Sequence, residues 1–465
     1  MLLIIKSLST PAKNAIKVAL AFCLAIYLAL YFNLEKPYWA AIVVNILAIT
    51  DTITAGKKKG ILRLLGTLCG AFVGLWLIAV FGQDRYYFLA NIALLLAICI
   101  YMGSDPVIGY AYITAFIVCI LLAISGSFDG VATFNIAVLR LQETLLGFVV
   151  YTTIYSVVWP EDDDTRFNNE VSVVLEAMSP LIHSLAYNDS AQRFQLHTSC
   201  ELNIESPTFK ALNDLMRLPD LHGRMPARKQ WKHQQQTQAI WVTKQLLQNA
   251  HDQGVDHNDF SILNQAMAFI EASSVNVDYK PPFPETVKQF YQGNFKKKRL
   301  FARLLDNSQQ RLSNTLVGTM SFISAILVWI YLPISSGSLF IINSAICALI
   351  LSNMPRQMIK HWTIGYLAFG SLFLIQYVLL LPSMTEVWQL MAFYFVNVFT
   401  VYRLFAGNQW MVYRVLGGNL LVMITMSATQ LVPVYDVTTP LNLLIYMMVA
   451  LAFIRFYTRL IHRKS

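Results

Sequence analysis

Apolar residues fall along this chain in runs, and the runs are grouped. A first group lies near Ile16–Phe32, Tyr38–Ile49, Ile61–Phe81, Tyr86–Met102, Val107–Ile124 and Val131–Trp159. A second lies near Thr315–Tyr331, Ser338–Leu351, Trp362–Leu381, Val387–Tyr402, Met411–Leu431 and Leu441–Tyr457. Such runs predict helices that cross a bilayer, because hydrocarbon offers the backbone no hydrogen bonds and a helix satisfies its own. A straight span needs about 20 residues, so the shorter runs leave their boundaries loose. The pattern predicts an all-α polytopic membrane protein of about 12 spans in two groups of six.

The stretch between the groups has a different character. From Glu161 to about Leu312 it carries most of the acidic residues and six of the eight histidines. Its apolar residues recur at helical spacing in "EVSVVLEAMSPLIHSL" (Glu170 to Leu185) and "QAIWVTKQLLQNA" (Gln238 to Ala250). Pro207 and Pro226 are placed to open helices, since proline is tolerated in a first turn. Three domains are therefore expected: a six-span domain over 1–160, a helical domain over 161–312 and a second six-span domain over 313–465.

Charge orients the spans. Lys6, Lys13, Lys17, Lys57, Lys58, Lys59 and Arg63 fall on one side of the first group, against Lys36 and Arg85 on the other. Arg356, Lys360, Arg403, Arg414, Arg459, Arg463 and Lys464 repeat the bias in the second, where the opposite loops near Pro333, Pro382 and Pro433 carry no Lys or Arg. The positive-inside rule then puts both termini and the middle domain in the cytoplasm. The opening "MLLIIKSLSTPAKNAIK" is expected to be an uncleaved amphipathic lead-in, because no small-residue cleavage site follows the first run and further spans come straight after.

Composition agrees and narrows the chemistry. The chain is 56% hydrophobic and 13% charged, with a mean hydropathy of +0.50. Its six cysteines show no C-x-x-C spacing and its middle-domain histidines no ligand spacing, so neither a disulfide framework nor a metal site is implied. No G-x-x-x-x-G-K-[ST], H-E-x-x-H or G-x-S-x-G occurs, which argues against ATP hydrolysis and hydrolytic catalysis. No cofactor and no enzymatic activity are expected. The run "KKKR" (Lys296 to Arg299) reads as a lipid-headgroup anchor, and the net charge of +9 does not point to nucleic acid.

The two groups match each other at an offset of roughly 300 residues, which predicts parallel repeats related by an axis along the membrane normal. In each, a proline follows the first span (Pro37, Pro333), an asparagine sits in the second (Asn45, Asn343), and glycines mark the third (Gly66 and Gly70; Gly365 and Gly370). Such an axis naturally encloses a path, and Asn45 and Asn343 are candidates for lining it or for ordinary interhelical hydrogen bonds.

Two segments share a motif. "RLLGTLCG" (Arg63 to Gly70) and "RLQETLLG" (Arg140 to Gly147) both follow R-x-x-[GE]-T-x-x-G, opening the third span and lying within the sixth. Glycine weakens a helix by about 1 kcal/mol relative to alanine, so Gly66, Gly70, Gly74 and Gly147 are expected to be compensated by close helix packing. Arg63 sits at the cytoplasmic start of its span, where it can snorkel to the headgroups or face the transport path. Arg140 lies well inside the sixth span with Glu143 three positions on, on one helical face. A mid-span charge costs about 2.5–3.5 kcal/mol on insertion scales, so the pair is expected to face protein or water, as a structural ion pair or as an anion- and proton-carrying site.

These motifs, with "PYWA" (Pro37 to Ala40) and the order six spans, cytoplasmic domain, six spans, resemble the aromatic acid exporter family, which includes the fusaric acid resistance proteins. The resemblance implies an inner-membrane, proton-driven efflux protein for aromatic or other weak organic acids, often paired with a periplasmic membrane-fusion subunit. A single six-span half is similar to the plant aluminium-activated malate transporters, which are dimeric anion channels, and this adds a homo-oligomer to the expected partners. Two departures stand out: little chain follows the last span, and the sixth span of the second group has Arg455 near its end and no acidic residue, the nearest echo being "YRVLGGNLL" (Tyr413 to Leu421) one span earlier. The alternatives are a passive organic-anion channel and an envelope assembly or structural role.

Overall fold

The computed structural model describes residues 9–50, 53–126, 129–160, 307–334 and 337–461, together with shorter stretches between 235 and 305. Pro207, Pro226, the Glu170–Leu185 segment, the KKKR run and residues 1–8 of the lead-in lie outside the described residues. The chain divides into two compact units, one of residues 1–160 and 299–465 and the other of residues 161–298.

The larger unit is helical throughout its described residues. The first group of runs becomes α1 (Thr10–Tyr31), α2 (Tyr38–Ala48), α3 (Ile53–Phe81), α4 (Arg85–Gly103), α5 (Gly109–Ser125) and α6 (Gly130–Val157). In the smaller unit, α7 (His257–Val275) and α8 (Glu285–Asn294) are joined by a 2.6 Å hydrogen bond from Thr286 Oγ1 to Gln265 Oε1. The ring of Tyr291 meets Trp241 edge-on, and Leu263, Phe269 and Val287 are buried. The second group then gives α9 (Ser308–Tyr331), α10 (Gly337–Leu351), α11 (Arg356–Leu379), α12 (Val387–Leu404), α13 (Met411–Ile424) and α14 (Thr438–Ile461).

Seven of the described helices are long and apolar enough to cross a membrane: α1, α3, α4, α6, α9, α11 and α14. The helices α2, α5, α10 and α13 are apolar but shorter. Polar residues fix several ends: Asp84 accepts from the Tyr86 and Tyr87 amides at the start of α4, and Asp129 from Val131 and Ala132 at the start of α6. Gln389 Oε1 reaches back to the Glu386 amide in a capping box on α12.

Two boundaries differ from the apolar runs. The third run begins at Ile61, but α3 begins at Ile53, so the lysines of "GKKKG" lie within the helix. Hydropathy marks where lipid begins, whereas a helix continues through charged residues whose long side chains find water or a partner. The run Met411–Leu431 is cut short instead: α13 ends at Ile424, and a 3₁₀ turn over Met426–Thr429 follows.

The packing follows one scheme in both groups. The third helix lies against the fifth (α3 on α5, α11 on α13), the second against the sixth (α2 on α6, α10 on α14), and the first against the second and sixth. Between the groups, the first helix of each meets the fourth of the other (α1 with α12, α9 with α4), and the second meets the fifth (α2 with α13, α10 with α5).

Glycines permit the closest of these approaches. A Cβ at Gly70 of α3 would come within 2.8 Å of the Ala115 Cα of α5, and one at Gly66 within 2.5 Å of the Ala111 carbonyl oxygen. Gly74 continues this contact against Leu122, while Gly147 of α6 faces the Ala40 carbonyl of α2. Between apolar helices in lipid, this gain in van der Waals contact replaces the hydrophobic force that is missing there.

Candidate functional site

Buried charge gathers in the first group of helices. Among the described residues, the charged residues buried as a whole are Lys17, Arg63, Arg140 and Glu143, on α1, α3 and α6, and Asp105, in the loop between α4 and α5. Three of them, Arg63, Arg140 and Glu143, line one small cavity bounded by α2, α3, α5 and α6.

The cavity is built from the two related motifs. On α3 it takes Arg63 and Thr67, four residues apart, and on α6 it takes Arg140 and Thr144 at the same spacing, with Glu143 beside them. Trp39 and Val43 of α2 and the Thr114 hydroxyl of α5 add to the wall, and Ile117 and Leu121 close it with apolar surface. Spacings of three and four place side chains on one helical face, so each motif presents its arginine and threonine together.

Arg140 Nη1 stands 3.0 Å from Glu143 Oε2, with the two side chains 5% and 0% exposed. The contact is an ion pair by distance, without the geometry of a hydrogen bond. Neither Glu143 oxygen has a hydrogen-bond partner at good geometry, and nor does Arg140 Nη1. The carboxylate is faced by the Lys36 backbone amide from the loop before α2 and lies in the field of the Lys36 and Glu35 side chains. The Arg140 guanidinium sits 4.6 Å above the Trp39 ring centroid, a cation–π contact. A buried polar group without a full set of partners carries a desolvation cost of about 1–3 kcal/mol. The pair is held in place, yet each member keeps capacity for another partner.

Arg63 is held differently. Its Nη1 donates a 2.8 Å hydrogen bond to Tyr110 Oη of α5, and the residue is only 8% exposed. One turn earlier on α3, the Lys59 ammonium lies 5.0 Å from the centroid of the same tyrosine ring and donates to the Ile46 carbonyl of α2 at 3.3 Å. Burial, and next to it the Arg140 guanidinium, hold the Lys36 amine below the ordinary lysine range.

The asparagines lie elsewhere. Asn45 Nδ2 donates to Asn419 Oδ1 (2.9 Å) and to the Val415 carbonyl (3.2 Å), and its own Oδ1 accepts from Tyr402 Oη (2.8 Å). It thus ties α2 to α12 and α13 of the second group. Asn343 is buried on α10, and its Nδ2 has no hydrogen-bond partner among the described residues. Sequence reasoning passed over Thr67, Thr144, Trp39 and Tyr110; the threonines had a signal, standing at the fifth position of both motifs, whereas nothing in the sequence marks Tyr110.

Among the described residues of the second group, no charged residue is buried as a whole, and Arg414 of α13 buries its Nε. Its buried interior is aromatic and sulfur-bearing, with Phe340 edge-on to Tyr446, Cys347 beside Met447, and Phe369 stacked on Phe373. One polar contact echoes the first group: His361 Nδ1 of α11 lies 3.1 Å from Tyr413 Oη of α13, joining the third and fifth helices of its group as Arg63 and Tyr110 join α3 and α5.

The sequence profile of the fusaric acid resistance protein family matches residues 12–199 and 214–465. The chain belongs to the fusaric acid resistance protein family. Within the curated relatives, it is 28% identical over 145 residues to the p-hydroxybenzoic acid efflux pump subunit AaeB of Musicola paradisiaca, covering 29% of this chain and 22% of that protein. It is 26% identical over 184 residues to the AaeB of Escherichia coli O1:K1, covering 36% of this chain and 27% of that protein. The aligned stretches thus span about a quarter of the length of these relatives. No solved structure matches the chain.

Proposed function

We propose that this protein is an inner-membrane secondary transporter that exports aromatic or other weak organic acid anions under the control of a proton, with Arg140 and Glu143 as its substrate and proton site. The observation that carries the reading is the buried Arg140–Glu143 pair, close in space but without hydrogen-bond geometry, under an aromatic ring in a cavity shared with a second arginine. Family membership and the names of the relatives support the same reading.

A carboxylate leaving water needs a compensating charge, and a guanidinium supplies one without losing its proton while gripping both oxygens. In the empty site that charge is taken by Glu143. A proton on Glu143 releases Arg140 to the substrate, and its loss returns Glu143 to Arg140 and displaces the substrate. Trp39 supplies a face for the substrate ring.

The shared packing scheme of the two six-helix groups supports an internal duplication and a topology of about 12 spans, four of them short helices of the kind that transporters place beside their binding sites. The loop charge bias supports cytoplasmic termini and a cytoplasmic middle domain. A periplasmic membrane-fusion subunit is the partner that fits, since the relatives are named as subunits of a pump.

The test is efflux of radiolabelled 4-hydroxybenzoate from proteoliposomes holding the full chain, with and without an imposed pH gradient. Accelerated, saturable efflux under the gradient supports the transporter. Anion current of equal size at zero gradient shows a channel instead, and absence of both withdraws the transport reading.

A further inference from the structure

The four cations Lys59, Arg63, Arg140 and Lys36 form an ordered series, and they follow one helix. Lys59 and Arg63 are one turn apart on α3 and act on each other electrostatically. Arg63 and Arg140 share the cavity and do the same, and Arg140 acts in turn on Lys36. The ends of the series mark the ends of α2: Lys36 stands in the loop before it, and Lys59 binds the Ile46 carbonyl in its last turn. At 1.5 Å per residue, this short helix is about 16 Å long, roughly half the hydrocarbon thickness. Aromatic faces alternate with the charges, Tyr110 against Lys59 and Trp39 against Arg140.

The opposite side of α2 is closed. There Asn45 bonds Asn419, Val415 and Tyr402, and a Cβ at Gly418 would collide with the Asn45 amide. Where α2 meets the second group, the contact between the two groups is thus filled by a hydrogen-bonded amide flanked by Arg414 of α13, whose Nε is buried, while the described charged residues that are buried as a whole lie in the first group.

We infer that the anion path runs through the interior of the first six-helix group, along the Trp39 and Val43 face of α2 from Lys59 to Lys36, and not along the contact between the two groups. The ligand is an organic carboxylate carrying a ring, handed from cation to cation with its ring against Tyr110 and then Trp39. The inference rests on the transport reading above and specifies its route. The second group serves as the packed partner that holds α2 in place.

The experiment uses the full chain in proteoliposomes, with the native cysteines replaced and single cysteines introduced. Thr67→Cys places a thiol in the cavity between Arg63 and Arg140, and Asn45→Cys with Asn419→Cys allows a short bifunctional reagent to lock the contact between the groups. 4-Hydroxybenzoate at ten times its dissociation constant is expected to slow alkylation of Thr67→Cys about tenfold, by simple occupancy, while neutral 4-hydroxybenzamide does not. Alkylation of Thr67→Cys is expected to stop efflux, and locking the contact between the groups to leave it running. If the locked protein stops and the alkylated Thr67→Cys protein still exports, the path lies between the groups; the route falls and the exporter stands. Efflux without protection of Thr67→Cys also overturns the route. Protection without any efflux from the unmodified protein keeps the carboxylate site and removes the exporter reading, and absence of both removes the two together. Should the cysteine-free protein not fold, Thr67→Trp in the native sequence gives the same decision, since a plugged cavity with normal folded yield must block efflux if the route is right.

Discussion

Arg63 and Arg140 stand at the same place in the same eight-residue motif on two different helices, and the fold turns both guanidinium groups into one cavity. One carries an acidic partner on its own helix, Glu143; the other is bound by a neutral phenol, Tyr110. At the position that Glu143 occupies in its motif, the α3 copy has Gly66, which lets α5 come close enough for Tyr110 to reach Arg63. The motif therefore yields one arginine beside an ionisable carboxyl group and one bound by a neutral hydroxyl.

Arg140→Ala leaves Glu143 buried without its counter-charge, and breaking a buried pair this way costs about 3–5 kcal/mol when the remaining group stays charged. A marked fall in melting temperature in detergent and loss of efflux are expected. Arg140→Met combined with Glu143→Leu removes both charges and is expected to fold as well as the native protein or better, by about 1–4 kcal/mol, while exporting nothing. Efflux by the double variant would show that the pair is only structural. Arg140→Lys is expected to restore efflux in part, and Glu143→Gln to retain substrate binding while losing the response to the pH gradient.

Tyr110→Phe removes the acceptor of the 2.8 Å bond from Arg63 and leaves a largely buried guanidinium short of a partner. The expected loss is about 1.5–3 kcal/mol, read as a lower midpoint in thermal unfolding. Efflux is expected to show a raised KM with little change in maximal rate.

Gly70→Leu forces a branched side chain into the backbone of α5 at Ala115. Overpacking of this kind costs about 1–3 kcal/mol or more, and the yield of folded protein in the membrane is expected to drop. Unchanged yield and melting temperature would show that α3 and α5 do not meet there.

The two asparagines are expected to answer oppositely to leucine. Asn45→Leu strands Asn419 and the Tyr402 hydroxyl, at a cost of about 1–3 kcal/mol. Asn343→Leu removes a buried amide nitrogen that has no partner among the described residues, so its expected effect is neutral to stabilising. Paired thermal unfolding of the two variants checks the contrast.

Asp436 accepts from the Thr438 hydroxyl at 2.6–2.7 Å, from the Thr438 amide at 2.9 Å and from the Thr439 hydroxyl at 2.9 Å at the start of α14. Those bonds, the Thr438 hydroxyl first, hold its carboxyl below the usual range. A depressed folded-state value stabilises above the unfolded value of about 3.9, and the benefit fades as pH falls through the folded one. Asp436→Ala is therefore expected to unfold earlier than the native protein at neutral pH, with the gap closing in acid. A gap independent of pH would show that the carboxylate does not cap α14.

The sequence by itself determined the helices and the family. Long apolar runs favour helices in lipid, so twelve of the described helices overlap the runs that predicted them, and the R-x-x-[GE]-T-x-x-G pair, PYWA and the order of the spans were enough to suggest the family that the profile match shows. It also marked Arg140 and Glu143, because a charge pair far from either end of a span stands out against apolar neighbours. Only the tertiary structure decided where Arg63 belongs. Hydropathy placed it two residues into a span that starts at Ile61, where a long side chain reaches the headgroups, but α3 starts at Ile53 and turns Arg63 inward to Tyr110. The roles of the asparagines were equally beyond a one-dimensional reading, since Asn45 and Asn343 occupy matching helices and only Asn45 meets an amide on the facing helix, Asn419. Hydropathy sums what each segment loses on leaving water, one segment at a time. The direction in which a buried charge points is set by which small residues let two helices close, and that is a property of the pair.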